Sequence, residues 1–154
     1  MTDRLIRAFI DTNIWISALI TLGGPPARIL RAFLDNRFVP VISQPFLAEL
    51  EEVLQRDRIR RRLQYSDDEV VSILESLAEI GIPGYPIGTL RLCRDPKDDI
   101  MLETAIEGGA NYIVTRDDNM KRDLDLIGYL NEAGIEVVSV AQFLAMLDSD
   151  QLSG

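Results

Sequence analysis

Histidine is absent from this 154-residue chain. That excludes Ser-His-Asp and Cys-His nucleophilic catalysis, imidazole metal ligation and a histidine general base in one step. Cys93 is the single cysteine, so neither an intrachain disulfide nor a cysteine-based zinc site can form, and a cytoplasmic setting is expected. No apolar run approaches the roughly 20 residues that span a bilayer. Met1-Thr2-Asp3-Arg4 leads into a strand-like segment without the apolar stretch of a signal peptide, so a soluble chain with no membrane association is expected. Basic residues are scarce as well: 16 Lys and Arg against 25 Asp and Glu give a net charge of -9, which repels nucleic acid taken as a whole. Carboxylates, hydroxyls, lysine and arginine are what remain for chemistry.

Strand-like apolar runs alternate with helical periodicity, the pattern of an α/β fold with a parallel sheet. Strands are expected over 5–10, 38–42, 111–115 and 135–140, and another over 82–87 that Pro83, Gly84 and Pro86 weaken. A short helix around Ile14 to Leu19 breaks at Gly23-Gly24-Pro25-Pro26, and a second follows over 27–34. Ser43 is placed to cap a helix over 44–54, a basic helical stretch follows over 56–65, and Ser66 caps another helix that closes on Gly81. Further helices are expected from Pro96 to the Gly108-Gly109 pair, over 123–134 and over 141–148. Residues 1–150 read as one domain and 151–154 as a disordered tail.

In open α/β sheets ligands bind outside the carboxyl ends of the strands. Two acids fall at such ends: Asp11 after "LIRAFI" and Asp117 after "YIVTR". Taken singly, Asp11 reads equally well as a helix cap and Asp117 as a turn residue. Two more acids begin helices at the same edge. Glu49 lies beside the apolar stripe Phe46, Leu47, Leu50, Val53 and Leu54, although with Glu51 and Glu52 it also reads as a solvated acidic face. Asp98 precedes Met101, Leu102 and Ala105 by three, four and seven residues and so projects from the buried face, with Asp99 one position round. Acids in a first turn also complement the helix dipole. Four carboxylates converging without histidine repel one another, and a hard divalent cation, Mg²⁺ or Mn²⁺, relieves that repulsion. The chemistry such a site implies is phosphodiester hydrolysis.

Together "FIDTNIWISALI", "ISQPFLAELEEVL" and "RDPKDDIMLETAIEGGANYIVTRDDNM" resemble a PIN domain, from about Arg7 to Val140 and with the motifs in family order. The likeness is to the bacterial and archaeal branch of VapC-like ribonucleases, toxin components of toxin–antitoxin systems. It implies a three-layer α/β/α sandwich around a central parallel sheet and a Mg²⁺- or Mn²⁺-dependent endoribonuclease. The family's four acids fall on Asp11, Glu49, Asp98 and Asp117, with Asp99 an alternative to Asp98. By the resemblance, Asp11, Asp98 and Asp117 bind metal, and Glu49 positions water held by the metal or a second ion. Thr12, Asn13, Asp99 and Thr115 support the carboxylates, Thr115 and Asn13 by hydrogen bonds. Attack displaces the 3′ oxygen and leaves a 5′ phosphate. A cognate antitoxin and a homodimer are the implied partners.

The acidic total sits awkwardly with an RNA substrate. "RDRIRRR" is the best phosphate-contacting patch, with Arg58, Arg61 and Arg62 as its members and Arg116 beside Asp117 as a further contact. Arg56 and its neighbours read equally as a solvated face pairing with Glu51 and Glu52. Tyr65 is a base-stacking candidate, or a core residue, and Asp118 is expected to face solvent. A catalytically silent PIN-like RNA- or protein-binding module is the alternative reading. An aspartyl-phosphate enzyme shares an acid at the first strand end but carries "DxDxT" there, where this chain has "DTN".

Overall fold

The computed structural model describes residues 5–153, and the side chains of residues 5–149. Five strands form one all-parallel sheet: β1 (Arg7–Ile10), β2 (Val39–Ile42), β3 (Ile82–Pro83), β4 (Tyr112–Val114) and β5 (Glu136–Val138), in the order β3-β2-β1-β4-β5. β1 is central, and Ala8, Phe9 and Ile10 are all buried, as a strand covered on both faces requires. Side chains alternate between the two faces. Phe9 meets Phe46 edge-on at 5.4 Å on one of them. Tyr112, which pairs in register with Ala8, meets Phe143, which in turn packs against Phe38 at 5.2 Å.

Helices cover both sides, giving an α/β/α sandwich. Among the described residues they are α1 (Thr12–Ile20), α2 (Pro25–Leu34), α3 (Gln44–Leu54), α4 (Asp57–Arg60), α5 (Asp67–Ile80), α6 (Pro96–Glu107), α7 (Asp118–Arg122), α8 (Leu124–Glu132) and α9 (Val140–Ser153). α2 packs on α1 and α9, whereas α5 and α6 pack on β2. The expected helix starts have visible causes. Ser43 Oγ accepts from Phe46 N, and Ser66 with Glu69 forms a reciprocal capping box. Gly109, at φ 68°, takes the left-handed conformation that ends α6.

Several elements differ from the sequence reading. The basic stretch is helical only over Asp57–Arg60, because Gln64 N donates to Leu19 O and draws the chain onto the end of α1. β3 stops at Pro83: Gly84 N donates to Ile42 O, and Gly84 then presses against α6 so closely that a Cβ would lie 2.2 Å from Thr104 O. α7 was not expected, and Asp117 nucleates it by accepting from Asn119 N and Met120 N. α9 remains helical in backbone to Ser153, within the stretch expected to be a tail, and Gly154 lies outside the described residues. No helix among the described residues is long and apolar enough to cross a membrane.

Candidate active site

From β1 the chain builds outward through β2 and β3 and then returns to the other side of β1 for β4 and β5, so the strand order reverses between β1 and β4. A crevice opens at such a switch point, at the carboxyl ends of the two strands. Ile10 and Val114 pair across it, so Asp11 and Thr115 leave the sheet at the same level. Asp11 N donates to Val114 O at 3.0 Å, and Thr115 Oγ1, fully buried, donates to Asp11 Oδ2 at 3.1 Å. The same hydroxyl accepts from Asp117 N at 3.0 Å. Thr115 therefore fixes one acid by its side chain and the other by its backbone. Asp11 stands at the α1 N-cap position without a well-formed capping hydrogen bond, although the backbone amides of Thr12 and Asn13 lie close enough to favour its charged form.

Asp11, Glu49, Asp98 and Asp117 line one cavity of about 630 Å³, together with Asn13, Ser17, Asp95, Lys97 and Arg116. Glu49 comes from the second turn of α3 and Asp98 from the first turn of α6, each half-buried. Arg116 crosses the rim, donating to Asn13 O at 3.3 Å and to Ser17 Oγ. Burial pushes the Asp11 carboxyl above its ordinary value of 3.8; the Thr115 hydroxyl and the Asn13 amide oppose the shift, and the charge of Asp117 adds to it. Burial also raises Asp98, helped by the charges of Asp95, Asp117 and Asp11. Cys93 is no nucleophile here: burial, then its hydrogen bond to Asp99, pushes its thiol up to about 12.

Other expected residues lie elsewhere. Asp99, rather than Asp98, is the deeply buried member of the pair, at 3% exposure, and its Oδ1 accepts from Leu92 N and Cys93 N. The helix turns it away from the four-acid cavity and onto the loop that precedes α6. Thr12 is buried, and its hydroxyl has no hydrogen-bond partner among the described residues. Arg58, Arg61 and Arg62 are exposed on and after α4 and line none of the cavities around the acids. In the same run Arg56 pairs with Glu52 at 3.0 Å, while Arg60 approaches Asp67 at 3.5 Å. Tyr65 packs against the core, and Asp118 faces solvent, paired with Lys121 at 3.4 Å.

Sequence reasoning missed Asp95, Lys97, Ser17 and Glu103. Asp95 was legible as the N-cap before Pro96, since its Oδ1 accepts from Lys97 N. Glu103 is buried, and its carboxylate accepts from Ile87 N, Gly88 N and Leu90 N at 3.1 to 3.2 Å. No periodic signal announces such contacts.

In chemical terms the carboxylates of the cavity offer the oxygen donors preferred by Mg²⁺ and Mn²⁺, while Lys97, Arg116 and Met101 share its wall. It also gathers carboxylates whose mutual repulsion a cation would relieve. Among the described residues, however, no three Asp, Glu, His or Cys side chains stand close enough together to ligate one ion as arranged.

The sequence matches the PIN-domain family over residues 7–119. It is similar to the uncharacterized protein MJ1680 of Methanocaldococcus jannaschii, at 27% identity over 141 residues that span 90% of each chain. No solved structure matches it.

Proposed function

The chain belongs to the PIN-domain family, whose members are in general nucleases that use divalent metal ions, and from that premise we propose that it is a Mg²⁺- or Mn²⁺-dependent endoribonuclease. The observation that carries this reading is the convergence of Asp11, Glu49, Asp98 and Asp117, from four separate elements, on one cavity at the switch point of the sheet. Asp11, Asp98 and Asp117 would hold the ion. A divalent cation there supplies charge that polarises a phosphoryl oxygen and lowers the pKa of water.

The protein groups do the rest. Thr115 fixes the rotamer of Asp11 through a buried hydrogen bond, so this carboxylate needs little reorganisation on binding. Lys97 and Arg116 place positive charge on the cavity wall and hold the non-bridging oxygens of the substrate phosphate. Glu49 orients the attacking water. The water oxygen bonds to phosphorus and gives up a proton to solvent, the bond to the 3′ oxygen breaks, and that oxygen takes a proton from solvent, leaving a 3′ hydroxyl and a 5′ phosphate.

A panel of RNAs incubated with Mg²⁺ or Mn²⁺, beside the same sequences as DNA, tests the reading. RNA cleavage that stops with chelator and in Asp11→Asn and Asp98→Asn supports it. Cleavage that persists in either variant overturns it.

The likeness to the toxin branch extends the reading to a cytoplasmic toxin held by a cognate antitoxin, and to a homodimer. Growth arrest on expression, relieved by the protein encoded next to this chain, tests the first, and sedimentation the second. A second reading, a silent PIN-like module that binds RNA or protein, is favoured by the separation of the carboxylates and by the commitment of Asp117 Oδ1 to the amides of α7. RNA affinity without turnover in any divalent ion would establish it.

A further inference from the structure

The cavity that holds the four acids is lined by a fifth, Asp95, and by two cations, Lys97 and Arg116. Opposite charges gathered in one space are expected to pair, because a bond between two ions is stronger than one between an ion and a neutral group. These do not. The ion pairs among the described residues lie elsewhere, and none includes Lys97 or Arg116.

Neutral groups meet the charges instead. Thr115 Oγ1 donates to Asp11 Oδ2 at 3.1 Å, and Asp117 Oδ1 accepts from Asn119 N and Met120 N at 2.9 and 3.4 Å. Arg116, which stands in the chain between Thr115 and Asp117, turns to α1. Its Nη2 donates to Asn13 O at 3.3 Å and to Ser17 Oγ. Asn13 and Ser17 are one helical turn apart, so the carbonyl of one and the hydroxyl of the other share a face of α1 and together receive a single nitrogen. The N–H groups on Nε and Nη1 have no partner among the described residues. Any residue at position 13 supplies the carbonyl. Only the side chain at position 17 supplies the second acceptor.

We propose that Ser17 is a positioning residue, which holds Arg116 against α1 and away from the acids of the cavity. A hydroxyl suits this role, since it orients the guanidinium without cancelling its charge as a carboxylate would. Released from Ser17, the guanidinium shares the cavity with Asp11 and Asp117 and pairs with one of them, so that the chain neutralises its own acids. A divalent cation then loses a carboxylate, and a phosphate loses an arginine. Ser17 keeps both halves of the site open to what comes from outside. That purpose rests on the ribonuclease reading.

Mn²⁺ binding to the intact chain without RNA, read from the spin-resonance signal of the free ion, tests the role. Ser17→Ala is expected to weaken Mn²⁺ binding about fivefold, the equivalent of one exposed ion pair competing for a carboxylate. Ser17→Thr, which keeps the hydroxyl, should bind as the parent does. Arg116→Gln removes the competing cation and should bind about twofold more tightly than the parent, by the loss of a like charge. In that background Ser17→Ala should change nothing. Alanine is the better helix former, so α1 is not weakened by the exchange, and thermal midpoints in chelator check that each variant folds.

Equal Mn²⁺ affinity in the parent and in Ser17→Ala, or the same loss in the Arg116→Gln background, overturns the role of Ser17 even where RNA is cut. The expected cycle in a parent that binds Mn²⁺ but cuts no RNA overturns the ribonuclease reading alone. A parent that binds no Mn²⁺ overturns both.

Discussion

Asp11 is held more strongly in its protonated form by the folded chain than by solvent, chiefly through burial. A carboxyl whose folded pKa lies above its unfolded value binds protons preferentially in the native state. It therefore favours folding at low pH, and that contribution is lost as pH rises through the folded pKa. In chelator, Asp11→Asn should thus be more stable than the parent at neutral pH, with the thermal midpoint higher by about 2–4 °C for each kcal/mol relieved. The gap should close as pH falls toward 4, and thermal scans of the two proteins across pH 4 to 8 measure it. Activity should vanish in the same variant. Thr115 makes a complementary case. Thr115→Val keeps the volume but removes the donor to Asp11 and the acceptor for Asp117 N, at a cost of about 1–3 kcal/mol. A roughly 10–100-fold loss of activity should accompany it, and Thr115→Ser, which keeps the hydroxyl, should restore most of both. Denaturant melts and initial rates report the two effects. The four acids were legible in the sequence because each sits at a strand end or in the first turns of a helix. The orientation of Asp98 against Asp99 was not, because one helical position of 100° separates a cavity wall from a loop anchor.

At the scale of elements, the helices with side-chain caps were the readable ones. Ser43 and Ser66 advertise α3 and α5 through local chemistry alone. The loop over 84–95 was unreadable, because its shape comes from buried carboxylates up to 16 residues further along the chain. Glu103→Ala would leave the amides of Ile87, Gly88 and Leu90 without their acceptor, and is expected to destabilise the protein by about 1–3 kcal/mol. Glu103→Gln retains one acceptor oxygen and should cost less. Chemical denaturation ranks the two, and hydrogen exchange should show faster exchange at these amides in both. The truncated basic helix carries the same lesson. Its periodicity continues past Arg60, and a tertiary hydrogen bond from Gln64 to the end of α1 overrides it.

Taken whole, the molecule carries a net charge of -9, and the cavity of the candidate site shares that sign, with Lys97 and Arg116 the cations among its acids. A divalent ion that binds only the folded state should stabilise it by about 2.7 kcal/mol at a hundred times its Kd. Thermal scans with Mn²⁺ should show that rise in the parent and its loss in Asp98→Asn. The alternation of strands and helices announced the parallel sheet, but nothing in the sequence sets the order β3-β2-β1-β4-β5, which depends on where each crossover returns. That order has a consequence for assembly. β1 meets β2 within the first 42 residues, whereas its other edge stays open until β4 is present, and the Thr115–Asp11 hydrogen bond closes a separation of 104 residues. Closing so long a loop is slow compared with pairing near neighbours. During synthesis or refolding the half-built sheet should therefore expose the edge of β1 first, and the acid cluster should be among the last parts of the protein to come together.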